Sequence, residues 1–130
     1  MKTYYTIIIL LLFLPKLSHA QLTIKDFRLC VENIGCSDSI LKISKQQLFK
    51  AGKVTANFPW LTIKSVILYF GSEGISDVTM LSIKGDSINN QAREYFKRTG
   101  PGTIITVDIE GYNKKNQRVP WANLSIRITQ

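Results

Sequence analysis

The order of apolar and polar residues predicts β-strands along most of the chain. Residues 105–110 and 124–129 alternate strictly, with the apolar residues at odd positions in the first segment and at even positions in the second. A period of two is typical of a strand with one face in the core and one in water. The polar, turn-rich segment 111–117 between them predicts a hairpin. Less regular strand patterns occur at 22–29, 40–43, 54–58, 63–70 and 78–83.

Two helical patterns interrupt the strands. In the first, Ser44 is predicted as the N-cap and Gln47 as the third helical residue of a capping box. Gly52 then predicts the end of this helix after about two turns.

The second helical pattern has one apolar face, formed by Ile88, Ala92, Tyr95 and Phe96, so the helix is expected to begin at Asp86 or Ser87. Its last turn is basic, and residues 100–102, Gly-Pro-Gly, predict its end. We expect the Phe96 ring to pack beneath the helix on the sheet. The sheet residues expected to receive it are Val107, Ile109, Ile126 and Ile128.

About seven strands and two short helices predict a mainly β fold, an immunoglobulin-like β-sandwich with two short helical insertions. Residues 21–130 are expected to form one domain, because the chain has neither internal repeats nor a long linker. The segment 63–70 is apolar in both phases near its end, which predicts a strand covered on both faces.

The first twenty residues have the pattern of a cleavable signal peptide. Lys2 precedes an apolar run at 7–14, and Ser18 and Ala20 supply the small residues of a signal-peptidase site. The run is shorter than the roughly 20 apolar residues of a membrane span, although a short N-terminal anchor is the alternative. The sequence therefore predicts a signal peptide at 1–20, no stable membrane span after its removal, and a periplasmic location.

The composition of the chain mainly excludes certain classes of catalytic and metal site. The one histidine of the 130-residue chain, His19, lies inside the predicted signal peptide. The rest of the chain therefore lacks the imidazole required by Ser-His-Asp and Cys-His catalytic sites and by His-ligated metal centres. Phosphate-binding glycine loops and EF-hand patterns are also missing. We expect a protein that is not an enzyme and has no cofactor or metal, with a hydrolase as the least favoured alternative.

The two cysteines, Cys30 and Cys36, are too close in sequence to be those of an antibody domain, and their spacing is not that of a redox-active pair. In an oxidising compartment, a local disulfide across a turn at 33–35 is the favoured interpretation. Two free, partly buried thiols are the alternative.

The chain is basic, with 17 Lys and Arg against 9 Asp and Glu. The basic residues are dispersed, and an exported protein is not expected to meet nucleic acid, so the charge indicates a solvated surface with one acidic protein partner. Asp108 and Glu110 are expected to pair with Arg127 across two strands. If the helix end and the hairpin turn lie side by side, they form one positive rim. Its candidate partner-binding residues are Lys97, Arg98, Lys114 and Lys115.

The order of caps, turns and core faces in this chain also resembles that of a known family. The similar segments are 27–29, 43–48, 51–56, 58–70, 83–100, 103–110, Arg118 and 124–128. In these segments the chain resembles the C-terminal periplasmic domain of GldM, a gliding-motility and type IX secretion protein. The family tends to carry Pro-Asp-Gly where this chain has Asn-Lys-Lys-Asn at 113–116. Its transmembrane helix and earlier periplasmic domains have no counterpart in these residues, so the resemblance implies contact with periplasmic or outer-membrane proteins.

Residues and resemblance together predict a non-enzymatic exported protein-interaction module of the gliding-motility and type IX secretion class. The expected partner is a protein of the periplasm or outer membrane, and pairing with a second copy of the chain is a further arrangement. The alternative is a small periplasmic inhibitor or immunity protein that blocks an enzyme with an exposed loop.

Overall fold

The computed structural model describes residues 27–37, 40–72, 74, 77–119 and 123–130. The predicted signal peptide and the predicted strand at 22–25 lie outside the described residues. Two short helices occur in the described part, α1 (Lys45–Leu48) and α2 (Asn90–Lys97). The strands are β1 (Leu29–Val31), β2 (Gly35–Cys36), β3 (Leu41–Ser44), β4 (Val54–Ala56), β5 (Thr62–Ser72), β6 (Thr79–Lys84), β7 (Thr103–Tyr112) and β8 (Leu124–Thr129).

The described strands form two sheets. A five-stranded sheet has the order β3-β8-β7-β5-β6, and a three-stranded sheet has the order β2-β1-β4. Every pair is antiparallel except β3 with β8, where Leu41 lies opposite Ile126 and Ser44 opposite Thr129. The protein is therefore mainly β, with two sheets and two short helices, which confirms the class predicted from the alternation.

The core receives one face of each long strand. Ile105, Val107 and Ile109 of β7 are buried, and so are the three apolar residues of β8, as the alternation predicted. The prediction for β5 was only partly correct. Val66 and Leu68 face the core, but Ile67 and Tyr69 on the other face are half-buried. The cover on that second face is incomplete because polar residues flank Ile67 on both neighbouring strands.

Helix α2 packs into the core through Phe96, whose side chain is 1% exposed. The ring meets those of Phe49 and Phe70, with centroids 6.3 and 6.1 Å apart. Phe96 is therefore buried as predicted, in the core cluster that also contains Val107, Ile109, Ile126 and Ile128, and its ring contacts are with Phe49 and Phe70.

The start of α2 differs from the prediction. Asn89 is the N-cap, and its side chain accepts a hydrogen bond from the Ala92 amide at 3.0 Å. The preceding residues are held by backbone bonds instead: the Val54 amide donates to Asp86 O at 2.7 Å and the Ile88 amide to Gly52 O at 3.1 Å. These bonds keep residues 86–88 extended, so the helix cannot begin at Asp86 or Ser87.

Helix α1 has the predicted capping box but is shorter than predicted. The Gln47 amide donates to Ser44 Oγ, and the Ser44 amide donates to Gln47 Oε1. The helix ends at Leu48, because the chain then bends toward the β1–β2 turn, where the Gly52 amide donates to Glu32 O at 3.2 Å.

The link between β7 and β8 is longer than the predicted hairpin. Their pairing stops at Val107 opposite Leu124, although β7 continues to Tyr112. Residues 113–117 form a local turn, closed by an isolated bridge between Tyr112 and Arg118. Within this turn the Asn113 side chain accepts from the amides of Lys115 and Gln117.

Candidate interaction surface

The structure separates the four basic residues that were predicted to form one rim. Lys97 and Arg98 end α2, close to the start of β7, whereas Lys114 and Lys115 follow its end. β7 has ten residues, so at ~3.3 Å per residue the two pairs lie at opposite ends of a strand about 30 Å long. The prediction of a single positive rim was therefore wrong, because the strand that links the helix to the turn runs the full length of the sheet.

Two of these residues have defined partners at the end of α2. The Lys97 amine lies 2.7 Å from the Glu94 carboxylate one helical turn back. The Lys97 carbonyl accepts a hydrogen bond from Lys45 Nζ at 2.6 Å. The Arg98 guanidinium instead lies 5.6 Å from the centre of the Tyr95 ring. At this distance the cation is attracted to the face of the aromatic ring.

Arg98 lines a cleft of about 250 Å³ between the C-terminal end of α2 and the adjoining ends of β5, β6 and β7. The Phe70 and Tyr95 rings stack along it, with centroids 5.5 Å apart. Among the described residues, its charged groups are the exposed side chains of Arg98 and Asp77. The other lining residues are Gly71, Ser72, Thr79, Thr99 and Thr103.

Two threonine hydroxyls of the cleft form hydrogen bonds within the protein. Thr99 Oγ1 donates to Phe96 O at 2.7 Å, and Thr103 Oγ1 accepts from the Gly100 amide at 3.2 Å. These bonds fix the turn that follows α2. Of the described residues, a ligand in the cleft would therefore meet the stacked Phe70 and Tyr95 rings and the opposite charges of Arg98 and Asp77.

The cleft opens on the α2 side of the five-stranded sheet, whereas an apolar patch lies on the opposite face, the one turned away from the core. We call this face the outer face. Met80 is 60% exposed and Val78 is 56% exposed, large fractions for apolar side chains. Met80 lies directly opposite Tyr69, and a Cβ on Gly71 would come within 3.6 Å of Val78 Cγ2, so Val78 covers that glycine. The outer-face patch consists of Ile67, Tyr69, Val78, Met80 and Ile104.

Sequence reasoning missed this patch although its signal was present. Val78, just before β6, and Met80 within it occupy even positions, whereas the core residues Leu81 and Ile83 occupy odd positions, so the segment has apolar residues in both phases. Only the pairing of β6 with β5 shows that these residues lie next to Tyr69.

A polar cluster occupies the other end of the outer face. Glu110 accepts hydrogen bonds from the Tyr112 hydroxyl and, at 3.1 Å, from Ser65 Oγ. These bonds lower the pKa of Glu110 below its ordinary value, and the nearby Arg118 and Lys64 charges add to the effect. Lys64 Nζ also lies 4.1 Å from the centre of the Tyr112 ring.

Asp108 shows the opposite shift. Burial raises its pKa, against the lowering effects of the Ile109 amide, which donates to Asp108 at 2.8 Å, and of the Arg118 charge. Asp108 and Glu110 were predicted to pair with Arg127. The strand register does not bring them together, because Arg127 lies opposite Ile104 and Lys42.

Arg118 takes the position expected for Arg127 because β8 pairs only with the first part of β7. The second part of β7 meets the returning chain at Arg118 instead.

Cys30 and Cys36 lie directly opposite each other on β1 and β2, and the structure joins their sulfurs in a disulfide. The intervening turn includes Asn33 in the left-handed region at φ 68°, a conformation that asparagine tolerates. Directly after β2, the Ser37 amide donates to Leu29 O at 2.8 Å and joins the end of β2 to the start of β1. The disulfide therefore secures a two-residue edge strand and presents no thiol for chemistry.

The described residues contain neither a metal-binding cluster nor a membrane-spanning helix. No group of three or more His, Cys, Asp or Glu side chains is arranged to hold a metal ion. Within the same parts of the chain, no helix has the length and hydropathy of a membrane span.

No protein-family model, curated protein or solved structure matches this chain. The similarity to the GldM periplasmic domain therefore stays a prediction from the residues quoted above.

Proposed function

We propose that this protein is a non-enzymatic exported protein-interaction module, an immunoglobulin-like β-sandwich that binds a protein partner through the outer-face patch and, on the α2 side of the same end of the sheet, the Arg98 cleft. The observation that carries this proposal is the exposure of Met80 and Val78 next to Tyr69. Folding alone gives no reason for such side chains to cluster in water.

The residue types at this surface are those that dominate protein interfaces. Aromatic residues, methionine and arginine are enriched where two proteins meet, and a few of them supply most of the binding energy. Arg98 rests on Tyr95, which itself stacks on Phe70, so its guanidinium is held before a partner arrives. A fitting partner presents apolar side chains to the patch and a carboxylate to Arg98.

The similarity to the GldM domain supports a cellular location for this interaction. Residues 83–100 and 103–110, which carry part of that similarity, include α2 and most of β7, the elements that build one side of the Arg98 cleft. The proposed partner is accordingly a periplasmic or outer-membrane component of gliding or type IX secretion machinery.

Site-specific photocrosslinking in the producing organism tests this proposal. A benzoylphenylalanine in place of Tyr69 sits within the patch, and the same residue in place of Lys115 provides a matched control at the far end of β7. Ultraviolet light is expected to join the Tyr69 position, and not the Lys115 position, to a specific protein identified by mass spectrometry. Secretion components support the proposed class, whereas a single protease or other hydrolase supports an inhibitor. Equal labelling at both positions contradicts the proposed surface.

Charge reversal tests the role of the cleft. Arg98→Glu is expected to abolish capture of the crosslinked partner, because it removes the cation offered to a carboxylate. Lys115→Glu changes the net charge equally at an exposed residue outside the surface and should leave capture unchanged.

A further inference from the structure

The edge of the five-stranded sheet at β6 has little of what usually protects an edge strand, since its one charged residue, the exposed Lys84, is the last of the strand. Among the described residues, β6 forms hydrogen-bonded pairs on one side only, with β5, and its register runs without a bulge from Thr79 to Lys84. It contains no proline, and its first five residues are uncharged. Such an edge is a template for another strand.

The opposite edge of the same sheet is better protected. β3 has only four residues, carries the exposed Lys42 and leads directly into α1. Short length and an exposed lysine are the usual means of discouraging edge pairing. Of the two edges, β6 is therefore better suited to pair with another strand.

The charges at the two ends of β6 indicate which strand that is. Asp77 lies just before the strand, Lys84 is its last residue, and both side chains are exposed. A second copy running antiparallel brings Asp77 of each chain to the same end as Lys84 of the other, at neighbouring positions and not directly opposite, so the same attraction acts at both ends. A parallel copy would bring like charges together.

We propose that β6 pairs antiparallel with β6 of a second copy of this chain, forming a two-fold symmetric dimer with one continuous ten-stranded sheet. Side chains opposite each other in an antiparallel pair lie on the same face. The two outer faces therefore stay on the same side, and the Met80 side chains of both copies lie near the symmetry axis. If the proposed function holds, the dimer presents two binding surfaces side by side to one partner assembly, which raises the apparent affinity.

Sedimentation equilibrium of the mature protein with its disulfide intact tests the dimer. We expect a concentration-dependent monomer–dimer equilibrium that weakens as salt rises. Lys84→Asp and Asp77→Lys should each raise the dimer dissociation constant about tenfold at low ionic strength, since each places like charges at both ends. The double variant should recover the original value. Lys42→Asp, on the other edge, is the matched control and should have no effect.

Three results overturn the dimer: a monomer at every concentration tested, a dimer that neither single variant weakens, or a double variant that is no better than the single ones. Circular dichroism of each variant establishes that the fold is intact. Ile104→Ser separates this proposal from the proposed function, because Ile104 belongs to the outer-face patch but lies on β7, away from the β6 edge, so the variant should weaken partner capture while leaving the sedimentation behaviour unchanged.

Discussion

The Tyr112 hydroxyl donates a hydrogen bond to the carboxylate of Glu110, two residues earlier on the same face of β7. The bond lowers the pKa of Glu110 and raises that of Tyr112, because it favours the ionised carboxylate and the protonated phenol. The pair therefore affects stability at both ends of the pH range.

Tyr112→Phe should raise the pKa of Glu110 toward its ordinary value, since the strongest donor is removed. A lowered carboxyl pKa stabilises the fold above the value of the unfolded chain, and this contribution disappears as pH falls through the folded value. A raised tyrosine pKa stabilises the fold below about pH 10 and loses its contribution as pH rises further. The variant should accordingly show weaker loss of stability toward both acid and alkali.

Carboxyl ¹³C NMR titration measures the Glu110 pKa directly, and urea unfolding at several pH values follows the stability. Ser65→Ala removes the second donor and should produce a smaller shift, because the Tyr112 bond has the larger effect on the carboxylate. An unchanged titration in Tyr112→Phe would show that the hydroxyl does not bind Glu110 in solution.

Phe96→Ala should destabilise the fold strongly. Its ring is buried against Phe49 and Phe70, so truncation leaves a cavity and costs about 3–5 kcal/mol. The free energy of unfolding from urea melts measures this loss. Lys97→Ala, at the next and exposed position, should change it by no more than about 0.5 kcal/mol. A loss below about 1 kcal/mol for Phe96→Ala would place the helix on the surface.

Replacing both Cys30 and Cys36 by serine should cost about 2 kcal/mol, at the low end for disulfides, because the bond closes only a short loop. Thiol labelling of the unfolded, unreduced protein should find no free cysteine. Two labelled cysteines per chain would contradict the disulfide, and the serine variant would then be expected to unfold like the original protein.

Asn89→Ala should cost about 1 kcal/mol, because it removes the side-chain acceptor for the Ala92 amide at the start of α2. Asn90→Ala is the matched control, since its exposed side chain lies within the first turn and does not cap the helix. Thermal unfolding of the two variants compares them. Equal effects would argue that the helix begins elsewhere.

Cleavage after Ala20 is the expected processing of the exported protein, because Ser18 and Ala20 directly follow the apolar run. Intact-mass measurement should show a chain that begins at Gln21. A full-length product retained in membranes would support the N-terminal anchor instead.

Local patterns in the sequence were sufficient to predict local structure. The alternation in β7 and β8 predicted their buried residues, and Ser44 with Gln47 predicted a capping box that the structure contains. These features depend on residues that are close in sequence. The start of α2 was predicted wrongly because the backbone of residues 86–88 binds residues 52–54, a contact that no local pattern indicates.

The candidate site was harder to predict because it depends on strand register. Arg118, and not Arg127, acts on Asp108 because of where the chain returns beside β7. Likewise, Met80 joins Tyr69 only through the pairing of β6 with β5. Of the four basic residues proposed from sequence, only Arg98 lines the cleft described here, because β7 separates the helix end from the turn.

The parallel pairing of β3 with β8 has a consequence for the order in which the chain folds. The Thr129 hydroxyl donates to the Ile43 carbonyl across 86 residues of sequence, and β8 lies between β3 and β7 in the sheet. A ribosome must therefore synthesise nearly the whole described chain before β3 has its neighbour, and contacts so distant in sequence form slowly. A nascent chain with this topology cannot complete the five-stranded sheet until its last strand has been made.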